Sequence, residues 1–336
     1  MKEAAIVILN YNGEAMLRKY LPQVISNSVY DIVVVDNGSS DASISYLQKK
    51  FPEIRLILLS ENHGYSKGYN LGLEHLKDAF SYYILLNSDV EVTGGWDQTL
   101  VGYLIQNPQV AACQPKVLSL AKKGYFDYAG AAGGFLDQLG YPFCRGRILH
   151  LLEEDMGQYN DSIEIDWASG ACFCIKSSVF HGFGGFNPFY FSHMEEIDLC
   201  WRMRIEGYKI HHCGATQVYH LGGGTLSQVN PLKTYLNFRN SLYMLKGNLE
   251  LIGFLKVFLL RMILDAGALM HLLFTKGMSH SWAIVKAYWD FLTKRNALKY
   301  SQSRKVKHHK SAKPLSICSI IWSYYLKGKK KYSELN

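Results

Sequence analysis

The chain has 336 residues, 48% of them hydrophobic, and a formal net charge of +8 at pH 7. That much apolar material excludes global disorder, and the length suits two domains rather than one. Seven irregularly spaced cysteines (Cys113, Cys144, Cys172, Cys174, Cys200, Cys213 and Cys318) exclude a disulfide framework and fit a reducing compartment.

In chain order, Ala4-Ala5-Ile6-Val7-Ile8-Leu9 predicts a strand ending at Asn10-Tyr11-Asn12-Gly13, with a helix from about Glu14 to Ser26. Asp31-Ile32-Val33-Val34-Val35 predicts a second strand, ending at Asp36-Asn37-Gly38-Ser39-Ser40-Asp41, and a helix from about Ala42 to Lys50. Residues 54–59 make a third strand, and Gly64 to Gly72 opens a helix. The apolar run Tyr83-Ile84-Leu85-Leu86 closes in Asn87-Ser88-Asp89-Val90-Glu91. Such alternation implies a parallel sheet with helices on both faces. Strands buried on both faces deliver their polar residues at the carboxyl edge, where ligands of open α/β sheets bind.

After Pro115 the pattern loosens, and residues 124–165, rich in Gly and Tyr, read as loops. Order returns at Asp166-Trp167-Ala168-Ser169-Gly170-Ala171 and a short strand through Ile175. Cys172 and Cys174 share one strand face and, with no second Cys/His pair at zinc spacing, read as small core residues. A helix from about Glu195 stops at Gly207, and a strand from Lys209 to Cys213 leads on to His220 and Gly222-Gly223-Gly224.

Beyond residue 240 the character changes, which divides the chain into 1–240 and a helical, basic region 241–336. Residues 249–275 are strongly apolar, but Lys256, Arg261 and Asp265 leave charge-free stretches short for a bilayer span. An amphipathic helix in a membrane interface fits better, with Trp282, Trp289 and Trp322 and two basic clusters beside it. The clusters are Arg304, Lys305, Lys307, Lys310 and Lys313, then Lys327, Lys329, Lys330 and Lys331. The alternative is a helical pair packed on the first domain or on a second copy. The chain enters a strand almost at once and has no signal peptide, so the first domain is expected in the cytosol.

The chemistry-bearing residues sit at strand ends. A carboxylate such as Asp89 can hold a divalent cation, and the cation a diphosphate; otherwise Asp89 is a solvated turn residue. Asp36 can accept from a nucleobase or ribose, or cap a helix, for which Asp41 is the better candidate. Gly38 permits a tight turn close to a ligand. The segment from Glu61 to Gly72 opens a helix whose N-terminus attracts phosphate, but it has neither Gly-Lys-Ser/Thr nor GxGxxG. Glu195-Glu196, followed by Asp198, is either a set of ordinary helix-start charges or a general base tuned by its neighbour. Arg202 and Arg204 are spaced to pair with Glu195 or Asp198. His220 is a structural imidazole or a second metal ligand.

Together these motifs resemble the family 2 glycosyltransferases, in particular the rhamnosyltransferase-like branch, over about residues 4–240. The resemblance implies a GT-A fold: a Rossmann-like, mostly parallel α/β sheet with helices on both faces, here followed by C-terminal amphipathic helices. It implies inverting transfer from a dTDP-, UDP- or GDP-linked sugar. It assigns the donor to Asn10, Tyr11, Asn12, Asp36, Gly38, Asn62, Gly64, Lys67, Gly68, Asn70, Asn87 and Ser88. Asp89 corresponds to the second acid of the DxD motif and binds Mg2+ or Mn2+, with His220 beside it; Asn87 replaces the first acid. The base is Glu195 or Glu196, where the family often has Glu-Asp, and Trp167, Ser169 and Gly170 line the acceptor site. The implied setting is surface-polysaccharide synthesis at the inner face of the cytoplasmic membrane, on a glycan or polyprenyl-linked acceptor, with a homodimer possible. A sugar nucleotidyltransferase is disfavoured because Asn10-Tyr11-Asn12-Gly13 is not a basic Gly-rich loop. A catalytically inactive glycan- or membrane-binding protein on the same fold is the other alternative. Nucleic-acid binding is not expected, since no aromatic–basic recognition module accompanies the basic tail.

Overall fold

The computed structural model describes residues 1–222, 230–294 and 317–335; Gly223, Gly224 and the basic cluster from Arg304 to Lys313 lie outside the described residues. The first half alternates as expected: β1 (Lys2–Asn10), α1 (Glu14–Ser26), β2 (Asp31–Asp36), α2 (Ser43–Lys50), β3 (Arg55–Leu58), α3 (Gly64–Glu74), β4 (Phe80–Leu86), β5 (Val90–Val92), α4 (Trp96–Gln106) and β6 (Val110–Ser119). Next come β7 (Gly134–Leu136), β8 (Pro142–Cys144), β9 (Arg147–Ile148), β10 (Leu151–Leu152), β11 (Ile163–Ile165), β12 (Cys172–Lys176), α5 (Ser177–Gly182), α6 (Glu195–Ile205) and β13 (Lys209–His220). The C-terminal helices are α7 (Pro231–Asn248), α8 (Leu251–Thr275), α9 (Met278–Thr293) and α10 (Ile320–Tyr325).

The main sheet has nine strands in the order β11-β13-β6-β12-β4-β1-β2-β3, with β5 on β13. Strands β3, β2, β1 and β4 are mutually parallel, and β13 is parallel to β6. Antiparallel β12 separates β4 from β6. The apolar strand runs are unbroken because both faces are covered. Ala5 and Val7 pack in one core layer with Tyr69 and Leu73 of α3, and Ile6 and Ile8 in the other with Leu17 and Leu21 of α1. Cys172 and Cys174 are buried in that second layer, as read from their spacing, and Cys113 joins them there.

Several expectations change. The strand carrying Tyr83 stops at Leu86, and Val90–Val92 is a separate strand antiparallel to β13. The stretch expected to be loops contains a second, four-stranded sheet, β10-β9-β8-β7. Its strands are two or three residues long, too short to carry a period. Gly134 in β7 is required there: a Cβ on it would lie 2.1 Å from the Trp167 ring. The strand opening at Lys209 continues to His220, with a register shift between Cys213 and Gln217. The boundary at residue 240 falls inside α7, whose Leu242, Met244 and Leu245 belong to the first domain's core.

Helix α8 inverts the usual pattern. Two of its three charged residues face inward: Arg261 and Asp265 are 2% and 1% exposed, while Lys256 is exposed. The Arg261 guanidinium donates to the Leu139 carbonyl and the Ser241 hydroxyl and pairs with Asp265 at 3.3 Å. Asp265 accepts from the hydroxyls of Tyr141 and Tyr288, both at 2.6 Å. Removing one partner of such a pair leaves a buried charge, so Arg261→Met should lower unfolding free energy by roughly 3–5 kcal/mol. Replacing both, as Arg261→Met with Asp265→Leu, should recover part of that loss. Chemical denaturation of the three proteins checks this, and a double variant weaker than the single would contradict it.

Candidate active site

The chain order reverses beside β1: β2 and β3 build outward on one side and β4 on the other. At such a switch point the loops leaving neighbouring strands part and open a crevice at the carboxyl edge. Register puts Asn10 beside Asp36 and Asp36 beside Leu58, so the polar loops emerge at one level. Asn10 Nδ2 donates to Asp36 Oδ2 at 2.9 Å, and Asp36 Oδ1 accepts the Ser39 N–H at 2.8 Å. Asn12 Oδ1 accepts the Ser40 N–H, while Asp41 caps α1 by accepting the Glu14 N–H. Asn37 ties in the next loop, donating to Asn62 Oδ1 and the Gly64 carbonyl and accepting the His63 N–H. Gly38 lies against the Glu61 backbone, and Gly68 against Asn37 and Leu9.

The first acidic feature of this edge is Asp89, 6% exposed, beside His220. His220 Nε2 lies 3.3 Å from Asp89 Oδ1 and 3.4 Å from the Asn87 amide. On its other side His220 Nδ1 is 2.9 Å from Asp127 Oδ1. Burial opposes charge on this imidazole, but the bonds to Asp127 and Asp89 prevail and lift its pKa from 6.5 to about 10. A carboxylate on one ring nitrogen with the other aimed at a second carboxylate is the arrangement that orients a metal-binding histidine. Among the described residues no three His, Cys, Asp or Glu converge as a closed metal cage. Asp89 and His220, the latter once a cation displaces its proton, would give two protein ligands to a cation that completes its shell with water and substrate phosphate.

Glu195 and Glu196 open α6. Glu195 is 4% exposed. Glu196 is less buried, and its carboxyl lies against the Gly170 backbone, its Oε1 3.7 Å from where a Cβ on Gly170 would sit. Burial raises both carboxyls above the usual glutamate range, and for Glu195 the neighbouring Glu196 charge adds to it. Gly170 also accepts the Tyr65 hydroxyl at 2.9 Å. Its neighbour Ala171 accepts the Asn87 N–H at 3.1 Å, which brings the Glu196 shelf against the Asn87-Ser88-Asp89 loop.

The backbone before α6 is strained: Phe191, His193 and Met194 have φ of 66°, 70° and 74°. Each left-handed non-glycine residue costs on the order of 1 kcal/mol or more. Asn240 of α7, fully buried, holds this loop by donating to the carbonyls of Tyr190, Ser192 and His193 at 2.8–3.0 Å. Arg239 donates to the Phe189 and Tyr190 carbonyls. Gly64, at φ +74°, lets the loop approach, since a Cβ there would meet Phe191 at 2.5 Å.

The predicted residues therefore divide. Asn10, Tyr11, Asn12, Asp36, Gly38, Asn62, Gly64, Asn87, Ser88, Asp89 and His220 gather at the expected edge, and Tyr11 is 39% exposed there. Lys67 is exposed on α3. The Tyr65 and Ser66 N–H groups of α3 donate to the Phe191 carbonyl, so a protein oxygen occupies the helix start expected to draw phosphate. Asn70 clamps both backbone groups of Phe186. Trp167 is 4% exposed, its Nε1 donating to the Phe135 carbonyl, and Ser169 is 1% exposed, its hydroxyl donating to the Ala129 carbonyl. Both brace the wall behind Gly170. Arg202 pairs with Asp198 as expected, but Arg204 pairs with Asp166 at 2.6 Å, outside its own helix. Sequence reasoning missed Asp127, which lies in an aperiodic stretch, and Asn240, which reads as one more helix residue.

Comparison with known proteins gives these residues a context. The family model for Glycosyl transferase family 2 matches residues 5–173. The low-salt glycan biosynthesis hexosyltransferase Agl10 of Haloferax volcanii is 27% identical over 244 residues, covering 71% of this chain and 74% of that protein. The N-acetylglucosaminyl-diphospho-decaprenol L-rhamnosyltransferase of Mycobacterium tuberculosis is 22% identical over 230 residues, 64% of this chain and 75% of that one. Among solved structures, the mannosyltransferase PcManGT of Pyrobaculum calidifontis with GDP-Man and Mn2+ aligns with a TM-score of 0.52 at 11% identity, over 88% of both chains. GalNAc-T7 with UDP, GalNAc and Mn2+ aligns at 0.56 and 17% identity, over 73% of this chain and 48% of that one. At these identities the structural likeness speaks for the fold, which is GT-A.

If Asn240 holds the strained loop, Asn240→Ala strips buried carbonyls of their donor and should lower stability by about 3 kcal/mol. Urea unfolding measures this. A loss below about 1 kcal/mol, the net worth of one ordinary hydrogen bond, would mean the loop holds its shape without Asn240.

Proposed function

The chain belongs to glycosyl transferase family 2 and is a glycosyltransferase, and we propose that it is an inverting hexosyl- or rhamnosyltransferase. Its donor is a nucleoside-diphosphate sugar carrying UDP, dTDP or GDP. Its acceptor is a glycan on a polyprenyl diphosphate, met at the inner face of the cytoplasmic membrane. The observation that carries this reading is one edge holding two kinds of acid: Asp89 beside an oriented His220, and Glu196 on a shelf bonded to the Asp89 loop. The Mycobacterium tuberculosis relative, named for a decaprenol-linked substrate, supports the acceptor class.

The roles follow from charge and access. Asn10, Asp36, Asn37 and Ser39 hold the loops in shape, while exposed Tyr11 offers its ring to the base of the nucleotide. Asp89 and His220 would hold Mg2+ or Mn2+, which when bound offsets the negative charge of the departing diphosphate. Asp127 keeps His220 turned toward Asp89. Glu196, less buried than Glu195 and resting on Gly170, takes the proton of the acceptor hydroxyl as that oxygen attacks the anomeric carbon. Glu195 stays inside, where burial and the neighbouring Glu196 charge favour its protonated, neutral form, so Glu196 is the carboxylate left to act as base. Holding donor and acceptor in line lowers the entropic part of the barrier, and no covalent intermediate is needed.

Removing the base should cost roughly 10²–10⁴-fold in kcat, so Glu196→Gln should lose turnover while keeping nucleotide binding. Asp89→Ala should lose the Mn2+-dependent part of the thermal stabilisation by UDP, dTDP or GDP. Full turnover in both variants would remove these assignments. Nucleotide binding by wild-type protein, with no turnover on any glycan-lipid acceptor, would favour the inactive binding protein instead. A base works deprotonated, and burial raises the Glu196 carboxyl, so activity should fall as pH drops through a limb above the ordinary value of 4.5. A pH–rate profile without that limb would point to another base.

A further inference from the structure

The hairpin of α8 and α9 carries a surface that the catalytic reading does not use. Along α8, Leu251, Ile252, Leu259, Leu260, Ile263 and Phe274 are each 51–80% exposed, whereas Arg261 and Asp265 face inward. On α9, Trp282 and Trp289 are 65% and 67% exposed. Soluble proteins rarely leave so continuous an apolar face to water. The exposed charges between residues 250 and 294 are one acid, Glu250, against Lys256, Lys276, Lys286 and Lys294; Asp265 and Asp290 are buried, and Lys294 pairs with Asp290 at 2.9 Å. A second copy set on this face would bring lysines toward lysines, with exposed Glu250 the one acid beside the apolar row to set against Lys256, Lys276 and Lys286. An anionic bilayer surface answers both features: lipid tails for the apolar side chains and phosphate headgroups for the lysines. Exposed tryptophans, apolar in body and polar at the indole N–H, suit the boundary between the two.

We propose that α8 and α9 seat the enzyme on an anionic phospholipid leaflet, with α8 lying in the plane of the interface. A helix of 25 residues, about 37 Å long, is long enough and apolar enough to cross a bilayer by length and composition alone. Its packing forbids that. Phe254, Phe258, Arg261 and Asp265 bind it along its length to Phe291, Tyr288, Tyr141, Ser241 and the Leu139 carbonyl. Crossing would draw the 139–141 turn and α7 into hydrocarbon, where the open backbone groups of a turn have no partners. Lying flat, α8 buries its apolar side in the acyl boundary while its inner side keeps these bonds. Helix α10 docks on the same turn, the Ile320 N–H donating to Asp137, and adds Trp322 and Leu326, exposed by 58% and 66%. For its use in catalysis, delivery of a lipid-borne acceptor, this surface rests on the transferase reading above.

The test is co-flotation of the full-length protein with vesicles of phosphatidylcholine alone and of phosphatidylcholine with phosphatidylglycerol. Wild type should float with the anionic vesicles, less so at high salt, and be released by alkaline carbonate. Leu259→Glu with Ile263→Glu should weaken partition by roughly 100-fold. The double variant should keep the wild-type circular dichroism and whatever stabilisation the Mn2+–nucleotide gives. Retention after carbonate would mean a span and overturn the flat orientation. A lipid-indifferent protein that sediments as a dimer, dissociated by the same variant, would overturn the bilayer as occupant. If vesicles bind but no nucleotide stabilises the wild type, the transferase assignment fails and the surface stands.

Discussion

Everything at the site follows from a sheet whose central strands are covered on both faces. A polar side chain inside such a strand has no water and few partners, so chemistry is confined to the strand ends. The reversal of order beside β1 then opens one crevice among those ends. The loops that form it are not free to wander. Asn10, Asn12, Asp36, Asn37 and Ser39 hydrogen-bond one another and loop backbone, and of these side chains the buried Asn10 Oδ1 is left without a partner among the described residues. These side chains build the site's shape, and the exposed groups between them are left for a ligand.

The second constraint is the strained turn before α6. Three left-handed non-glycine residues persist only where surrounding contacts over-determine them. Here those contacts come from α3 through the Phe191 carbonyl and from α7 through Arg239 and Asn240. The turn starts α6 where Glu195 is fully enclosed and Glu196 reaches Gly170. Asp198, one turn on, accepts from Tyr190, Asn248 and Arg202 and so locks the same helix to α7. The C-terminal helices are therefore part of the apparatus that aims the carboxylates, which is why a boundary at residue 240 cuts through it.

What was legible in the sequence was whatever depends on period and strand-end chemistry. The parallel strands, their polar termini and the positions of Asp89, His220, Glu195 and Glu196 at strand and helix ends are readable because each motif is local. What was not legible depends on distant pairing. Asp127 meets His220 from 93 residues away, and Asn240 meets the Tyr190 carbonyl from 50 away. Neither leaves a periodic trace. The resemblance assigns Trp167 and Ser169 to the acceptor lining, whereas the close approach of Gly134 and the Ala129 carbonyl draws both side chains into the wall behind Gly170. In α8 tertiary structure inverts the placing of two of the three charges that interrupt the apolar run: Arg261 and Asp265 face the protein, and Lys256 stays exposed.

That inversion links the two ends of the molecule. Arg261 and Asp265 grip the turn between β7 and β8 through the Leu139 carbonyl and Tyr141. β7 carries Gly134, on which the Trp167 ring lies, and the segment from Trp167 leads three residues on to Gly170 and the Glu196 carboxyl. Each contact is a buried hydrogen bond or a close packing, so the chain of parts is stiff, and protein interiors of this density deform little. The apolar face of α8 thus stands at a set height and angle to the carboxylate that must meet an acceptor hydroxyl. For a soluble sugar that relation would be of no consequence. For the proposed acceptor, with its diphosphate at a membrane surface, it would set which hydroxyl of the glycan reaches Glu196, and the buried ion pair of α8 would then bear on specificity as well as on the fold.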